Sequence, residues 1–512
     1  MYFHTLQFVV FFPVVTILYF VVPHRRRWLV LLAAGCYFYM AFVPLLILLP
    51  LSMITVNYFM GMYIERSAGR SRKWFLTTGI VANVLVLMFF RYFHFIDENL
   101  LRLAQVIHWN YPLHVLGIVV PLGISFQTFQ SIAYLIEVHR GNVRAERHYG
   151  YLAVYVLFYP LQACGPIERP QNLLRQLHER QEFDYRRVAD GLKLMAWGFF
   201  KKLVIADRLA QLVNPVYDHP ASYQGPLLLL STIGFAYQIY CDFSGYTDIA
   251  RGAAQVMGFK LLENFHNPYH AGSISDFWRR WHISLSTWLR DYLFLPVTYT
   301  AMRKFDSLKS VRLRQDFLSY AAGILVTMFI CGLWHGSNYT YIVWGMLMGF
   351  YMIASVLTRK FRRRSVRLLK LQKVPLVHNS MRITMTFLLV CLAWVFFRAN
   401  TVHDAVYIIS HLLSGFRHAN AALLFEQLRV TLGANLQVKI LFSHLSGVAV
   451  LIIVVLEILV LEVVQILQDR GSVREMLNRK PFLFRLCAYY AVIMMITLLG
   501  VFEQSGFIYF KF

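Results

Sequence analysis

Two histidines stand where a largely apolar chain of 512 residues has little reason to place an ionisable group. His282 interrupts "SISDFWRRWHISLSTWLRDY" (residues 273–292), and His335 stands between Trp334 and Gly336 in "CGLWHGSNYTYIVWG" (residues 331–345). An imidazole held in an apolar wall stays neutral and can accept a proton near neutral pH. Arg279 and Arg290, interleaved with Trp281 and the other indoles, offer planar donor forks to an anionic group. Upstream, "YQIYCDFSGYTDIARG" (residues 237–252) sets Gln238, Asp242, Ser244 and Asp248 in or just after an apolar stretch, where carboxylates need partners or water. The chemistry these side chains allow is general-base catalysis beside a site for a ligand that is anionic at one end.

Each group depends on the element that carries it. Ser273 with Asp276 three residues on is a capping-box-like helix start, so residues 273–292 are expected to form a helix. At about 100° per residue, Trp278, Trp281, Leu285, Trp288, Leu289 and Tyr292 share one arc. Ser275, Arg279, Ser286 and Arg290 share another, His282 lies where the two meet, and Arg280 and Asp291 point away. A helix lying in the headgroup layer would show the same stripe, and a hydrogen-bonded structural histidine would satisfy His282.

His335 falls inside or at the tip of a hairpin of two apolar spans, residues 317–333 and 339–357. An ionisable residue at membrane depth is a functional-site hypothesis, and its alternative is a histidine hydrogen-bonded in a surface loop. Gly332 and Gly336 leave the backbone open to a ligand or to another helix. Gln238, Asp242, Ser244, Asp248 and Asp291 read as a supporting polar network, the first group bonding arginines of the following helix; a purely structural network would use the same residues.

Composition fixes the class. The chain is 58% hydrophobic and only 15% charged, which describes an integral membrane protein. Basic residues exceed acidic ones, giving a net charge of +24, and they cluster in short blocks such as "HRRR", "ERSAGRSRK" and "RKFRRRSVRLLK" between apolar runs. That is the pattern of cytoplasmic loops with affinity for anionic membrane lipid, and nucleic acid is not the expected partner. The 6 cysteines show neither CxxC nor metal-type spacing, and no metal site is expected. No basic residue precedes the first apolar run, so it reads as a retained span rather than a cleaved signal.

Counting spans between basic blocks gives about eleven or twelve transmembrane helices in an all-α polytopic fold. Residues 149–164 are expected to be re-entrant or interfacial, and residues 400–446 to form an extracytoplasmic loop, helical in part. One membrane domain, 1–512, is expected, divided into N-terminal spans (1–148), the re-entrant segment with a span (149–225), a central core (226–358) and C-terminal spans (359–512).

Several segments, in order and at these separations, resemble the membrane-bound O-acyltransferase (MBOAT) family, in the branch of the bacterial alginate O-acetylation membrane protein. They are "FSGYTDIA", "ENFHNPY", "SISDFWRRWHISLSTWLRDYLFLP" and "GLWHGSNYTYIVWG", joined by "LGISFQTFQSIAYLIEVHRG", "GPIERP", "GLKLMAWGFFKKLVIADRLA" and the terminal "FIYFKF". The likeness covers nearly the whole chain. Where this branch continues after "LFLP" with a Gly-Gly-Asn-Arg-like loop, this chain has "VTYTAMRKFDSLKS", a departure that bears on acceptor and partner contacts.

The resemblance implies a multi-span fold around a central tunnel in a bacterial cytoplasmic membrane. It implies that His335 is the essential histidine and His282 the second histidine. On the chemistry of the residues themselves, His335 is expected to be the general base, His282 to orient the donor or relay a proton, and Arg279, Trp281, Arg290 and Trp334 to form the donor pocket. The resemblance also implies acetyl-CoA or an acyl carrier as donor substrate with no permanently bound cofactor, an exported polysaccharide as acceptor, and an accessory periplasmic or surface acetyltransferase. D-alanyl or other acyl transfer to teichoic acid or lipid is the alternative within the family. A transporter or flippase of a lipid-linked saccharide is the alternative outside it, and its expected inverted repeats are not found.

Overall fold

The computed structural model describes residues 1–41, 43–109, 121, 123–162, 165–223, 225–305, 312–415 and 447–502. All regular structure among them is helical. The helices, numbered in chain order, are α1 (Leu6–Val21), α2 (Arg27–Met40), α3 (Leu48–Arg66), α4 (Gly69–Val106), α5 (Ile124–Arg140), α6 (Tyr149–Leu157), α7 (Tyr159–Gln162), α8 (Pro170–His178) and α9 (Tyr185–Phe199). A π-helical turn (Phe200–Ala206) leads into α10 (Asp207–Asp218) and the long α11 (Pro226–Met257). Then come α12 (Ile274–Arg280), α13 (Ile283–Leu289), α14 (Leu295–Phe305), α15 (Arg312–His335), α16 (Tyr339–Leu357), α17 (Arg359–Leu368), α18 (Pro375–Arg398) and α19 (Val402–His411). Beyond residue 446 lie α20 (Gly447–Gln468), α21 (Val473–Asn478) and α22 (Phe482–Leu499).

Among the described residues 8 helices are long and apolar enough to cross a bilayer: α3 with its leading turn, α4, α11, α15, α16, α18, α20 and α22. The eleven or twelve expected from the basic blocks also counted shorter pieces. One is α1 at 16 residues, and another is α2 at 14, which at about 1.5 Å per residue falls short of a roughly 30 Å core. The segment expected to be re-entrant is two short helices, α6 of 9 residues and α7 of 4, buried along almost their whole length.

Contacts divide the chain into two compact units. The first holds Met1–Met195 with Tyr246–Leu262. Its helix α5, largely buried, packs on α3 and α4 and stops at Gly141, whose φ of 78° suits glycine and whose N–H closes onto Glu137 and Val138 carbonyls. α8 starts at Pro170, where a missing N–H costs nothing.

The second unit holds Ala196–Gly245 with Glu263–Phe512. Its centre is the hairpin of α15 and α16. A Cβ on Gly332 would lie 2.4 Å from the Tyr341 carbonyl oxygen and one on Gly345 2.3 Å from that of Met328, so the two backbones touch and only glycine fits. The approach that sequence left open to a ligand or a helix is taken by a helix. Asn338 starts α16 by accepting the Thr340 N–H at 3.1 Å, which makes the turn after His335 short and fixed.

The segment expected as a loop after "LFLP" begins as helix α14, and residues 306–311 lie outside the described residues. The segment 400–446 opens with α19, capped by Thr401, whose hydroxyl oxygen accepts the Asp404 N–H at 3.0 Å; residues 416–446 lie outside the described set, as do Cys164 and the terminal "FIYFKF".

Candidate active site

The expected helix over 273–292 is interrupted. Ser273 accepts the Asp276 N–H at 3.2 Å and the Asp276 carboxylate accepts the Gly272 N–H at 3.1 Å, so α12 starts as the capping pattern predicts. Trp281 then turns extended and His282 adopts φ 43°, ψ 54°, a left-handed conformation that ends α12 and lets α13 start afresh. For a residue bearing a Cβ this costs about 1–3 kcal/mol and persists where surrounding contacts hold it. Of the expected apolar arc, Trp278, Trp281, Leu285, Trp288 and Leu289 are buried and Tyr292 is half-buried, whereas Arg279 and Arg290 are exposed.

The break places His282 in the interior, with no exposed surface. Its Nδ1 lies 3.1 Å from Asn264 Oδ1, and its ring meets Phe243 edge-on with centroids 4.7 Å apart. Burial pushes its pKa from the usual 6.5 down to about 3, so the ring is neutral at physiological pH.

His335 is the last residue of α15 and is 2% exposed, which places it in the protein interior rather than against lipid. Its imidazole is enclosed edge-on by Trp334 at 4.8 Å, Trp344 at 4.9 Å and Phe397 at 5.2 Å between centroids. Trp334 also contacts His282, with centroids 6.2 Å apart, so one indole bridges the two histidines. From His335 the aromatic wall continues through Trp344 stacked on Trp394 at 5.7 Å, and Trp394 against Trp281 at 5.0 Å. The tryptophan arc legible in the sequence is therefore packed against α16 and α18 and does not face headgroups.

A second polar feature lies in the same unit. Lys202 of the π-helical turn reaches Asp207 at 2.7 Å and Asp242 of α11 at 2.5 Å, all three nearly inaccessible. Lys201 donates to Ser244 at 2.9 Å, and Arg208 faces Glu457 of α20 at 3.5 Å.

The residues expected to share one polar network meet different partners. Asp242 pairs with Lys202 of the π-helical turn, which lies in the same unit. Asp248 pairs with Arg251 of its own helix at 3.4 Å and belongs to the first unit. Gln238 is buried on α11, and Asp291 binds Arg290 at 2.8 Å at the surface. Sequence reasoning missed Asn264, Lys201, Lys202, Asp207, Arg208 and Glu457. The signal for four of them was present in "FFKKLVIADR", charges embedded in an apolar run.

Histidine pair, aromatic enclosure and buried ion network can be set beside known proteins. The profile of the MBOAT, membrane-bound O-acyltransferase family matches residues 143–398, which include every residue of the histidine site. "Probable alginate O-acetylase AlgI" of Pseudomonas aeruginosa is 35% identical over 401 residues, 77% of this chain and 71% of that protein. This chain belongs to the membrane-bound O-acyltransferase family.

Other relatives of this MBOAT protein include "Peptidoglycan O-acetyltransferase" of Helicobacter pylori, 32% identical over 75% of this chain and 73% of that protein. "Teichoic acid D-alanyltransferase" of Bacillus subtilis is 29% identical over 48% of this chain and 60% of that protein. The MBOAT protein is accordingly a multi-pass membrane acyltransferase.

Proposed function

We propose that this acyltransferase moves an acetyl group from cytoplasmic acetyl-CoA to a hydroxyl of an exported polysaccharide, directly or through an accessory acetyltransferase. The observation that carries the reading is the enclosure of His335 at the C-terminal end of α15, one indole away from the buried His282. His335 removes the proton of the attacking hydroxyl as the C–O bond forms; the tetrahedral intermediate then collapses, the C–S bond breaks, and the departing thiolate takes a proton to leave as the free thiol of CoA. His282 orients the donor or relays that proton. Arg279 and Arg290, exposed at the flanks of the buried tryptophans, are available to the phosphates of the donor. No permanently bound cofactor is required.

Acetyl is favoured over D-alanyl because the O-acetylating relatives align over about three quarters of this chain and the D-alanyltransferases over less than half. The test is purified protein incubated with radiolabelled acetyl-CoA. Wild type is expected to transfer or slowly hydrolyse the label, and His335→Ala to lower the rate by about 10²- to 10⁴-fold with the fold intact. Arg363→Ala, on the exposed α17, should leave it unchanged. Wild-type turnover by His335→Ala would end the catalytic assignment. Loss of acetate from one exported glycan on deletion of the chain would identify the acceptor.

A further inference from the structure

Asn264 belongs to "ENFHNPYH", between α11 and α12, and is fully buried at the strained break. Its backbone carbonyl accepts the Ile283 N–H at 2.9 Å, and the His266 N–H donates to the Arg280 carbonyl at 2.9 Å. Residues 264–266 thus run beside 280–283 and hold His282 at its φ of 43°. The side-chain Oδ1 of Asn264 accepts the Ser284 N–H at 3.1 Å and the Ser284 hydroxyl at 2.8 Å, and faces His282 Nδ1 at 3.1 Å.

A backbone N–H can only donate, so the atom facing it is the amide oxygen and not the amide nitrogen. An oxygen that can only accept then requires the proton of the neutral imidazole to sit on Nδ1. We infer that Asn264 is the positioning residue of the site: it fixes the His282 proton on Nδ1 and so makes Nε2, on the opposite edge of the ring, the nitrogen that accepts a proton or a hydrogen bond from substrate. The inference rests on the placement of His282 in the acyl-transfer site proposed above.

The identity of the residue supports this. The Asn264 Nδ2 is buried and meets no hydrogen-bond partner among the described residues. An aspartate would accept the same three hydrogen bonds without stranding two amide hydrogens. It would, however, set a negative charge against the imidazole, favour the imidazolium, and remove the accepting lone pair. Asparagine is the acceptor that leaves the ring neutral. Phe243 at 4.7 Å, Phe265 at 6.4 Å and Trp334 at 6.2 Å between centroids also pack on the ring.

The experiment uses the full chain in detergent or nanodiscs with acetyl-CoA as the probe, following CoA thiol release from pH 5 to 9. Asn264→Asp is expected to lose activity toward pH 5 and to recover it as pH rises, because a carboxylate partner raises the imidazole pKa by about 1–3 units from about 3 and so brings the acid limb up toward the measured range. Asn264→Ala should lower kcat without moving the limb. An Asn264→Asp protein with reduced yield or melting temperature but a wild-type pH profile would overturn the assignment and leave Asn264 a purely structural residue. If Asn264→Asp does not fold, Asn264→Ser, which keeps a neutral acceptor, should exceed Asn264→Ala in kcat; equal values overturn the inference. Wild-type turnover by His282→Gln would remove His282 from the reaction, an outcome distinct from any result at position 264.

Discussion

Lys202 is expected to be the position where a single change damages the fold most. Lys202→Met keeps the length and volume of the side chain and removes only the charge that lies 2.7 Å from Asp207 and 2.5 Å from Asp242. Lys202 is 1% exposed at its side chain and both carboxylates are 4% exposed, so water cannot take over. At an effective dielectric of about 20 each contact is worth on the order of 6 kcal/mol of attraction, most of which is offset by taking three ions out of water. What the variant exposes is the cost of leaving two carboxylates in the interior without their cation, roughly 3–5 kcal/mol. The assay is thermal unfolding of detergent-solubilised protein, read by the monodisperse fraction in size exclusion after heating. Lys202→Met should unfold well below wild type, and the triple variant Lys202→Met, Asp207→Asn, Asp242→Asn should recover most of the difference, because it removes the stranded charges. A single variant as stable as wild type, or a triple variant no better than the single, would refute the reasoning.

Three further outcomes follow from the same structure. His282 has its pKa lowered from 6.5 to about 3, so the unfolded chain binds a proton in that window and the folded chain does not; its contribution is whole above about pH 6.5 and falls by about 1.4 kcal/mol per pH unit as pH drops toward 3, a slope that chemical unfolding at pH 7 and pH 5 should show and His282→Asn should remove. Gly345→Val would push a Cβ to 2.3 Å from the Met328 carbonyl oxygen and separate α15 from α16, at about 1–3 kcal/mol or more by the same unfolding measurement, with loss of turnover because His335 rides on α15. Arg279→Ala and Arg290→Ala, both at exposed positions, should change stability by no more than about 0.5 kcal/mol while raising KM for acetyl-CoA; unchanged KM in both would remove them from the donor site.

Much of the site was legible before any coordinates. His335 at the end of one span and His282 among tryptophans stand out because an ionisable group in an apolar context is expensive unless it serves a purpose. The cap at Ser273, the start of α16 and the burial arcs of residues 273–292 follow from local rules of capping and helical period, and the structure repeats them. The break at His282 was not legible. A left-handed histidine is disfavoured by its own backbone, and only the hydrogen bonds from residues 264–266, distant along the chain, make that conformation the stable one.

By itself the sequence determined the class of molecule, an all-helical chain for a bilayer, because apolar runs and basic blocks act locally and add along the chain. It also carried the family, through the order and spacing of its motifs. Tertiary structure alone decided who meets whom. It gave Asp242 to Lys202, set Trp334 between the two histidines, assigned Asp248 to the other unit, and turned the amide of Asn264 toward the imidazole. Pairing energies at short range depend on separations of a few ångströms between residues tens or hundreds of positions apart, and no periodicity in the chain encodes those distances.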